Sequence, residues 1–239
     1  MRRIFVLILF STSLSVFGQF RANTSTSWNR EEFDEKNFSW GYFLGTNLML
    51  FKVNPDAASG VNDQGMIYLR QKNKMGFSVG LMGKMKLSEL FDLKFEPGVH
   101  FAERELYFGN INSNADSVRS VKTTYIDLPL LIKVHGDRWV NTRPYVQGGL
   151  SYVVNLQSNE KKKEDNQEDI FRMKTHNFSW QAEMGVELYF KKFKLTPSIK
   201  GVFFFNNELV QDNPGTNPQW TGTLKGLSTR MFVFSLKFE

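Results

Sequence analysis

The feature that most constrains the fold of this chain is an alternation of apolar and polar residues that recurs in eight segments. In the clearest segment, every second residue from Phe178 to Phe190 is apolar, and the residues between are polar, glycine or tyrosine. The same pattern occupies residues 126–134, 146–156, 193–199 and 232–238, and weaker versions occupy 41–52, 74–87 and 92–108. A period of two places successive side chains on opposite faces of a β-strand, so each segment predicts a strand with one apolar face.

The lengths of these segments and of their connections indicate a membrane barrel. Most segments extend over about ten residues, which a tilted strand needs to cross a hydrocarbon core, whereas ordinary strands have about five or six. Short connections near 88–91, 135–141 and 191 alternate with long ones at 53–73, 109–120, 157–174 and 206–225. Outer-membrane barrels alternate short periplasmic turns with long extracellular loops. We therefore predict an all-β fold: an eight-stranded antiparallel up-and-down transmembrane β-barrel in the outer membrane of a Gram-negative bacterium, in contact with its lipid and with both termini periplasmic.

The N-terminal segment predicts export from the cytoplasm. Two arginines precede the apolar run Ile4–Phe10, and small or polar residues follow it. This run is too short to span a bilayer, which requires about 20 residues. We interpret residues 1–18 as a signal peptide, 19–40 as a polar periplasmic leader, and 41–239 as the barrel.

The composition of the chain excludes several kinds of functional site and partner. The chain has no cysteine, which excludes disulfides, zinc–thiolate sites and a catalytic thiol, and its net charge of +6 has no basic helix or stripe that would indicate a nucleic-acid partner. Aromatic residues make up 15% of the chain. Several fall near the ends of apolar faces, as interfacial girdles do: Tyr42, Trp180, Phe190, Phe203, Phe205 and Phe238. The last strand, residues 232–238, resembles the terminal signal that the barrel assembly machinery reads, which makes that machinery an expected partner during biogenesis.

Four prolines lie inside the expected strands, where proline removes a hydrogen-bond donor. They are Pro97, Pro129, Pro144 and Pro197. We expect bulges or early fraying at these positions.

The inward faces of the strands carry many charged residues. The predicted lumen charge network consists of Lys94, Glu96, His100, Arg104, Asp127, Lys133, Arg143, Glu183, Glu187, Lys194 and Lys200. Because side chains fill the interior of an eight-stranded barrel and isolated buried charges are costly, one interpretation is a closed plug of ion pairs. The alternative is a narrow anion-favouring path or a binding cavity.

The sequence offers no constellation for catalysis, a metal or a cofactor, and we expect none of the three. His100 is assigned to the lumen, His135 to a turn and His176 to the base of a loop, and no Ser/His/acid set gathers on the lipid face. Glu183 and Glu187 lie on one face, but four residues apart on a strand is about 13 Å, too far for a paired-carboxylate site. We therefore predict that the protein is not an enzyme.

Four blocks of sequence resemble the PorT family of outer-membrane barrels. They are Phe95–Gly98, Arg104–Phe108, Tyr125–Lys133, and Asn141–Tyr145 with Gly148 and Gly149. The resemblance covers nearly the whole mature chain, and it implies an accessory role in type IX protein secretion, including export of adhesins and gliding-motility proteins, with other secretion-machinery proteins as partners. The family has no catalytic residues to carry over. The alternative function is a general small barrel with an adhesin-like, membrane-stabilising or porin-like role.

Overall fold

The computed structural model describes residues 36–55, 69–108, 118–162, 171–211, 221 and 224–239. The expected signal peptide and nearly all of the expected leader lie outside the described residues. Ten strands are present: β1 (Phe38–Pro55), β2 (Leu69–Asn73), β3 (Met75–Lys86), β4 (Phe91–Phe95), β5 (Gly98–Phe108), β6 (Val118–His135), β7 (Thr142–Asn155), β8 (His176–Tyr189), β9 (Lys194–Phe204) and β10 (Leu224–Phe238). No helix in these ranges is long and apolar enough to span a membrane.

The ten strands close into a ring with eight members. Two of these members are each divided into two strands. Every pairing is antiparallel, and the order is β1, β10, β9, β8, β7, β6, then β4 with β5, then β3 with β2, and back to β1. The prediction of an eight-stranded up-and-down barrel is confirmed. β1 begins at Phe38, three residues before the expected boundary at 41, because Phe38 and Trp40 continue the apolar alternation.

The two divisions have different causes. Between β2 and β3, one extra residue shifts the register: Asn73 pairs with Arg104, whereas Phe77 pairs with Phe101. This is a β-bulge at Lys74. Between β4 and β5, the register against β6 does not change, and the gap lies at Pro97.

The expectation of bulges or fraying at all four prolines is wrong. Pro129 stays paired with β7, although its other side faces the gap between β4 and β5, and Pro144 stays paired with β8. Beside Pro197, the pairing of β8 with β9 skips two positions and resumes in the same register at Leu188 and Leu195. A proline lacks the N–H that the ladder needs but does not add a residue, so the bond is lost and the register is kept.

The outward and inward faces follow the alternation. On β6, Leu130 and Ile132 are 56% and 53% exposed in the isolated molecule, whereas Asp127 and Lys133 are each 1% exposed. On β8, Trp180 and Met184 face outward, and Gln181 faces inward. The turns 87–90, 136–141 and 190–193 lie at the end of the barrel where β1 begins and β10 ends, which we call the short-turn end. The opposite end is the long-loop end.

Candidate functional site: the closed lumen

A carboxylate surrounded by lysines lies in the half of the lumen nearer the short-turn end. Glu96, held beside Pro97 where β4 gives way to β5, is contacted by Lys94 at 3.1 Å, Lys200 at 2.9 Å and Lys237 at 2.7 Å. Glu183 on β8 accepts from Lys237 at 2.6 Å. We call these five residues the Glu96 cluster. Three cations on two carboxylates leave one excess positive charge, which neighbouring acids must offset.

Tyr145 and Gln147 complete the bonding around the Glu96 cluster. The Tyr145 hydroxyl donates to Glu183 at 2.6 Å, and the Gln147 amide donates to Glu96 at 3.1 Å. Both come from β7, where alternate residues face the lumen. Each carboxylate therefore accepts from more than one donor, which is the arrangement that makes burial of charge tolerable.

A second group of ion pairs closes the short-turn end. Lys133 and Lys194 contact Glu187 at 2.7 and 3.1 Å, and Lys194 also contacts Glu239 at 2.6 Å. Lys133 further contacts Asp92 at 3.3 Å. We call Asp92, Lys133, Glu187, Lys194 and Glu239 the Glu187 cluster.

The Glu239 side chain ties the end of the chain into this cluster. It lies 3.6 Å from the ammonium of Lys84 and accepts from the Ser39 hydroxyl at 2.5 Å. Burial opposes ionisation, but the charges of Lys194 and Lys84 lower the pKa of Glu239 from 4.5 to about 2. Glu239, the acidic residue that follows the terminal aromatic, therefore forms ion pairs with lysines of the lumen.

A hydrogen-bonded chain of Ser78, His100 and Asp127 lies next to the Glu96 cluster, on the side nearer the long-loop end. The Nδ1 atom of His100 is 2.8 Å from the Ser78 hydroxyl, and its Nε2 atom is 3.5 Å from Asp127. Asp127 also accepts from Ser151 and from Gln181. The residue types are those of a nucleophile, a base and an orienting acid, but Ser78 is 0% exposed. A nucleophile needs access to its substrate, so this arrangement is a buried hydrogen-bond network.

Arg104 forms a separate layer nearer the long-loop end. Its guanidinium donates to Thr229 and Thr123 at 3.0 and 3.2 Å and lies 3.6 Å from the centre of the Phe51 ring. Next to it, the Tyr125 hydroxyl donates to Glu208 at 2.8 Å. Glu208 lies in the β9–β10 connection, and burial raises its pKa.

Apolar side chains fill the lumen between Arg104 and the long-loop end. Strand residues and residues of two connections form a single buried cluster, which we call the apolar cap: Phe51, Leu106, Val121, Phe171, Met173, Leu209, Leu224 and Leu227. Phe171, Met173 and Leu209 come from the described parts of the β7–β8 and β9–β10 connections, and they pack against the strand residues of this cluster. An isolated bridge between Met173 and Leu209 joins the two connections.

Among the described residues, side chains at successive positions along the lumen are shielded from water. Glu96 is 1% exposed, and Arg104, Leu106 and Val202, at three further levels, are each 0% exposed. A water-filled path would leave such side chains exposed. The geometry therefore favours the ion-pair plug over the anion path or binding cavity.

The structure places the predicted lumen residues in several groups and not in one network. The Glu96 cluster contains Lys94, Glu96, Glu183 and Lys200, and the Glu187 cluster contains Lys133, Glu187 and Lys194. His100 bonds to Ser78, and Asp127 bonds to Ser151. Arg104 belongs to neither cluster, and Arg143 is half-buried, with its guanidinium 6.0 Å from the Tyr189 ring.

Sequence reasoning missed several contributors to the lumen. Asp92, Lys237 and Ser78 occupy inward positions of the alternation, which was the signal that could have found them. Glu239 and Glu208 lie outside the strands, so no periodicity marks them. Within the described ranges, no three His, Cys, Asp or Glu residues gather as metal ligands would.

Residues 17–210 match the family described as "Outer membrane protein beta-barrel domain", and the chain belongs to that family. It is therefore an outer-membrane β-barrel, and its apolar outer face contacts lipid. No curated protein matches the sequence.

Solved structures of small outer-membrane proteins are similar to this chain at low identity. OprG of Pseudomonas aeruginosa is 11% identical, with 84% of this chain and 93% of that chain covered and a TM-score of 0.41. AlkL, solved by solid-state NMR in lipid bilayers, is 13% identical, with 83% and 87% covered and a TM-score of 0.40. Ail of Yersinia pestis, solved with a heparin analogue, is 7% identical, with 85% and 99% covered and a TM-score of 0.39.

Proposed function

We propose that this protein is a closed, non-enzymatic outer-membrane barrel that works through its surfaces, in a membrane-stabilising or adhesin-like role. The observation that supports this proposal is the closed lumen, where two ion-pair clusters, a buried hydrogen-bond network and the apolar cap follow one another. With no open interior to carry a solute, the surfaces left for function are the lipid-facing belt and the long loops.

A porin-like role has little support. Eight-stranded barrels have interiors that side chains fill, and the open channels of porins have many more strands. Here the fixed charges are engaged with one another: Glu96 alone accepts from three lysines. Opening a path would break several of these pairs, each at a cost typical of unpaired buried charge.

The burial of the Ser78–His100–Asp127 chain is what supports a non-enzymatic role. Asn47 also donates to the Ser78 hydroxyl, at 2.8 Å, so this oxygen is already bonded on two sides. A hydroxyl held this way inside the wall stabilises the fold and has no route to a lipid or a soluble substrate.

The proposed topology follows the loop lengths. The signal peptide (1–18) is removed, the part of the leader that precedes β1 (19–37) and both termini lie in the periplasm, and the long connections lie outside the cell. The barrel assembly machinery is the proposed partner during insertion, through the terminal strand β10.

Type IX secretion is the second candidate, and the resemblance of Tyr125–Lys133 and Asn141–Gly149 to the PorT family is the observation that favours it. Both blocks lie in the barrel wall. Tyr125, Asp127 and Lys133 bond within the lumen, and the outward residues that alternate with them, Leu128, Leu130 and Ile132, face lipid. The similarity therefore concerns how the barrel is built. An accessory role in secretion would depend on partner proteins that contact the loops or the leader.

Deletion of the gene distinguishes the two candidates. The membrane-stabilising or adhesin-like role predicts increased detergent sensitivity or reduced adhesion, with the proteins of the medium and periplasm unchanged. The type IX role predicts the reverse, with exported adhesins and motility proteins trapped in the periplasm. Proteomics of both fractions, with complementation as the control, decides between them, and unchanged results in every assay would contradict both.

A further inference from the structure

Exposed cations lie side by side on three consecutive strands at the long-loop end of the barrel. Lys52 on β1, Arg70 and Lys72 on β2, and Arg230 on β10 are all exposed and belong to three consecutive strands of the ring. We call these four residues the basic rim. On the outward faces of β7, β8 and β9 at the same end, the described residues contain no Lys, Arg, Asp or Glu; they include Tyr152, Val154, His176, Phe178 and Phe203.

Pairing across the strands makes the basic rim continuous. Leu50 of β1 pairs with Arg230, so Lys52 lies one outward position beyond it. On the other side of β1, the Gln71 side chain bonds to both the N–H and the carbonyl of Phe51, at 3.0 and 3.1 Å. This bridge holds Arg70 and Lys72, the neighbours of Gln71, beside Lys52.

The depth of the rim matches that of lipid headgroups. The outward residues just below it are apolar: Leu48 and Phe232 are each 39% exposed, and Met75 is 76% exposed. On β4 and β5, the apolar outer face extends from Phe91 to Phe101, which is about 33 Å along the strand and about 25 Å along the membrane normal at a tilt of 40°. The rim therefore begins where the hydrocarbon layer ends.

Acids neutralise only part of this charge. Lys72 pairs across the strands with Glu105, but Glu105 and Glu103 are already engaged by Lys74, each at 2.8 Å. Within the described part of the chain, Lys52, Arg70 and Arg230 form no ion pair.

We propose that the basic rim binds the phosphate groups of lipid headgroups in the leaflet at the long-loop end. Arginine matches phosphate geometry with two parallel donors, and lysine adds a mobile point charge. Each cation near an anionic lipid surface strengthens binding by about fivefold. In the topology proposed above, this leaflet is the outer one, and the ligand is a phosphorylated glycolipid.

The test uses the full-length folded barrel in detergent and native mass spectrometry. The probe is a bisphosphorylated lipid A, compared with the same lipid after removal of its phosphates. We expect the wild type to retain the phosphorylated form at least tenfold more strongly, and the variant K52Q/R70Q/K72Q/R230Q to lose at least tenfold in that retention. The control K161Q/K162Q/K191Q/K192Q removes the same charge elsewhere and should change retention by less than twofold.

Three outcomes would overturn the proposal: equal retention of the two lipids, equal loss in both variants, or displacement by equimolar inorganic phosphate. If the rim variant does not fold, lysine acetylation of the wild type decides. Phosphorylated lipid should protect Lys52 and Lys72 but not Lys161 and Lys162, and uniform protection would contradict the proposal. Neither result depends on the proposed cellular function, because both are measured on the isolated barrel.

Discussion

Glu96 is the residue on which the charge balance of the lumen depends most. Three lysines from three different strand segments contact it, and it is 1% exposed. Its position beside Pro97 explains how β4 and β5 stay in register across a missing hydrogen bond, because the side chain ties this point of the wall to β9 and β10. Removing one partner of a buried ion pair leaves the others uncompensated, which costs more than the pair contributes.

Glu96→Gln should destabilise the folded barrel by about 3–5 kcal/mol, because it leaves Lys94, Lys200 and Lys237 facing a neutral amide. Urea unfolding in lipid vesicles measures this change. Glu103→Gln is the control: this residue forms an ion pair with Lys74 on the solvent-screened outer face, so its loss should cost far less than the loss of Glu96. Equal costs for the two variants would show that Glu96 is not buried as described.

The lowered pKa of Glu239 predicts how the free energy of unfolding depends on pH. Its pKa is lowered from 4.5 to about 2 in the folded protein, so its contribution is complete above pH 4.5 and is lost as the pH falls through 2. The shift corresponds to about 3 kcal/mol. The difference in unfolding free energy between wild type and Glu239→Gln should therefore shrink to near zero between pH 4.5 and 2. A difference that does not vary over this range would exclude the ion pairs with Lys194 and Lys84.

At the scale of the strand, the period of two decides which residues meet lipid and which meet the lumen. A slip of one residue would exchange the two faces completely. On β6 the slip would put Asp127 and Lys133 into lipid and Leu130 into the charged interior. The register is therefore fixed by both faces at once.

Leu130→Arg should impair assembly and destabilise the barrel by about 2–4 kcal/mol, since Leu130 lies near the middle of the outward face of β6. Thr124→Arg, on the same face of the same strand but at the long-loop end, should cost about 0–1 kcal/mol. The fraction of the protein that runs as the faster, folded band on unboiled gels measures the effect. If both variants assembled equally well, the assigned register of β6 would be wrong.

The strands and their faces were predictable from sequence because their signal is local. The alternation from Phe178 to Phe190 marked both the strand and its lipid face, and the eight-strand ring followed from counting such segments. The pairs inside the lumen were not predictable, because Glu96 and Lys237 are 141 residues apart and their contact depends on ring closure.

The apolar cap shows a second limit of sequence reasoning. Phe171, Met173 and Leu209 lie in connections without periodicity, so nothing in the sequence distinguishes them from exposed loop residues. The effect of the prolines was also misjudged. Pro97 and Pro197 interrupt pairing without shifting it, whereas the register shifts at Lys74, where no proline stands, and between Asn54 and Pro55 at the end of β1.

At the scale of the whole molecule, the alternation of short and long connections gives the proposed topology. Lys161 and Lys162 lie in the long β7–β8 connection, and Lys191 and Lys192 lie in the short β8–β9 turn. Trypsin added to intact cells should cleave at the first pair and spare the second, with cleavage sites assigned by mass spectrometry. Permeabilised cells are the control for access to the turns. Cleavage at Lys191 or Lys192 in unbroken cells would invert the topology.

The central claim is that side chains close the barrel from the Glu187 cluster through to the apolar cap. Single-channel recording tests it most directly: the purified, folded barrel is inserted into a planar lipid bilayer, and current is recorded across a range of voltages. We predict no steady conductance above that of the protein-free bilayer, with an open porin inserted under the same conditions as the positive control. A reproducible, ion-selective conductance from the folded protein would contradict the closed lumen.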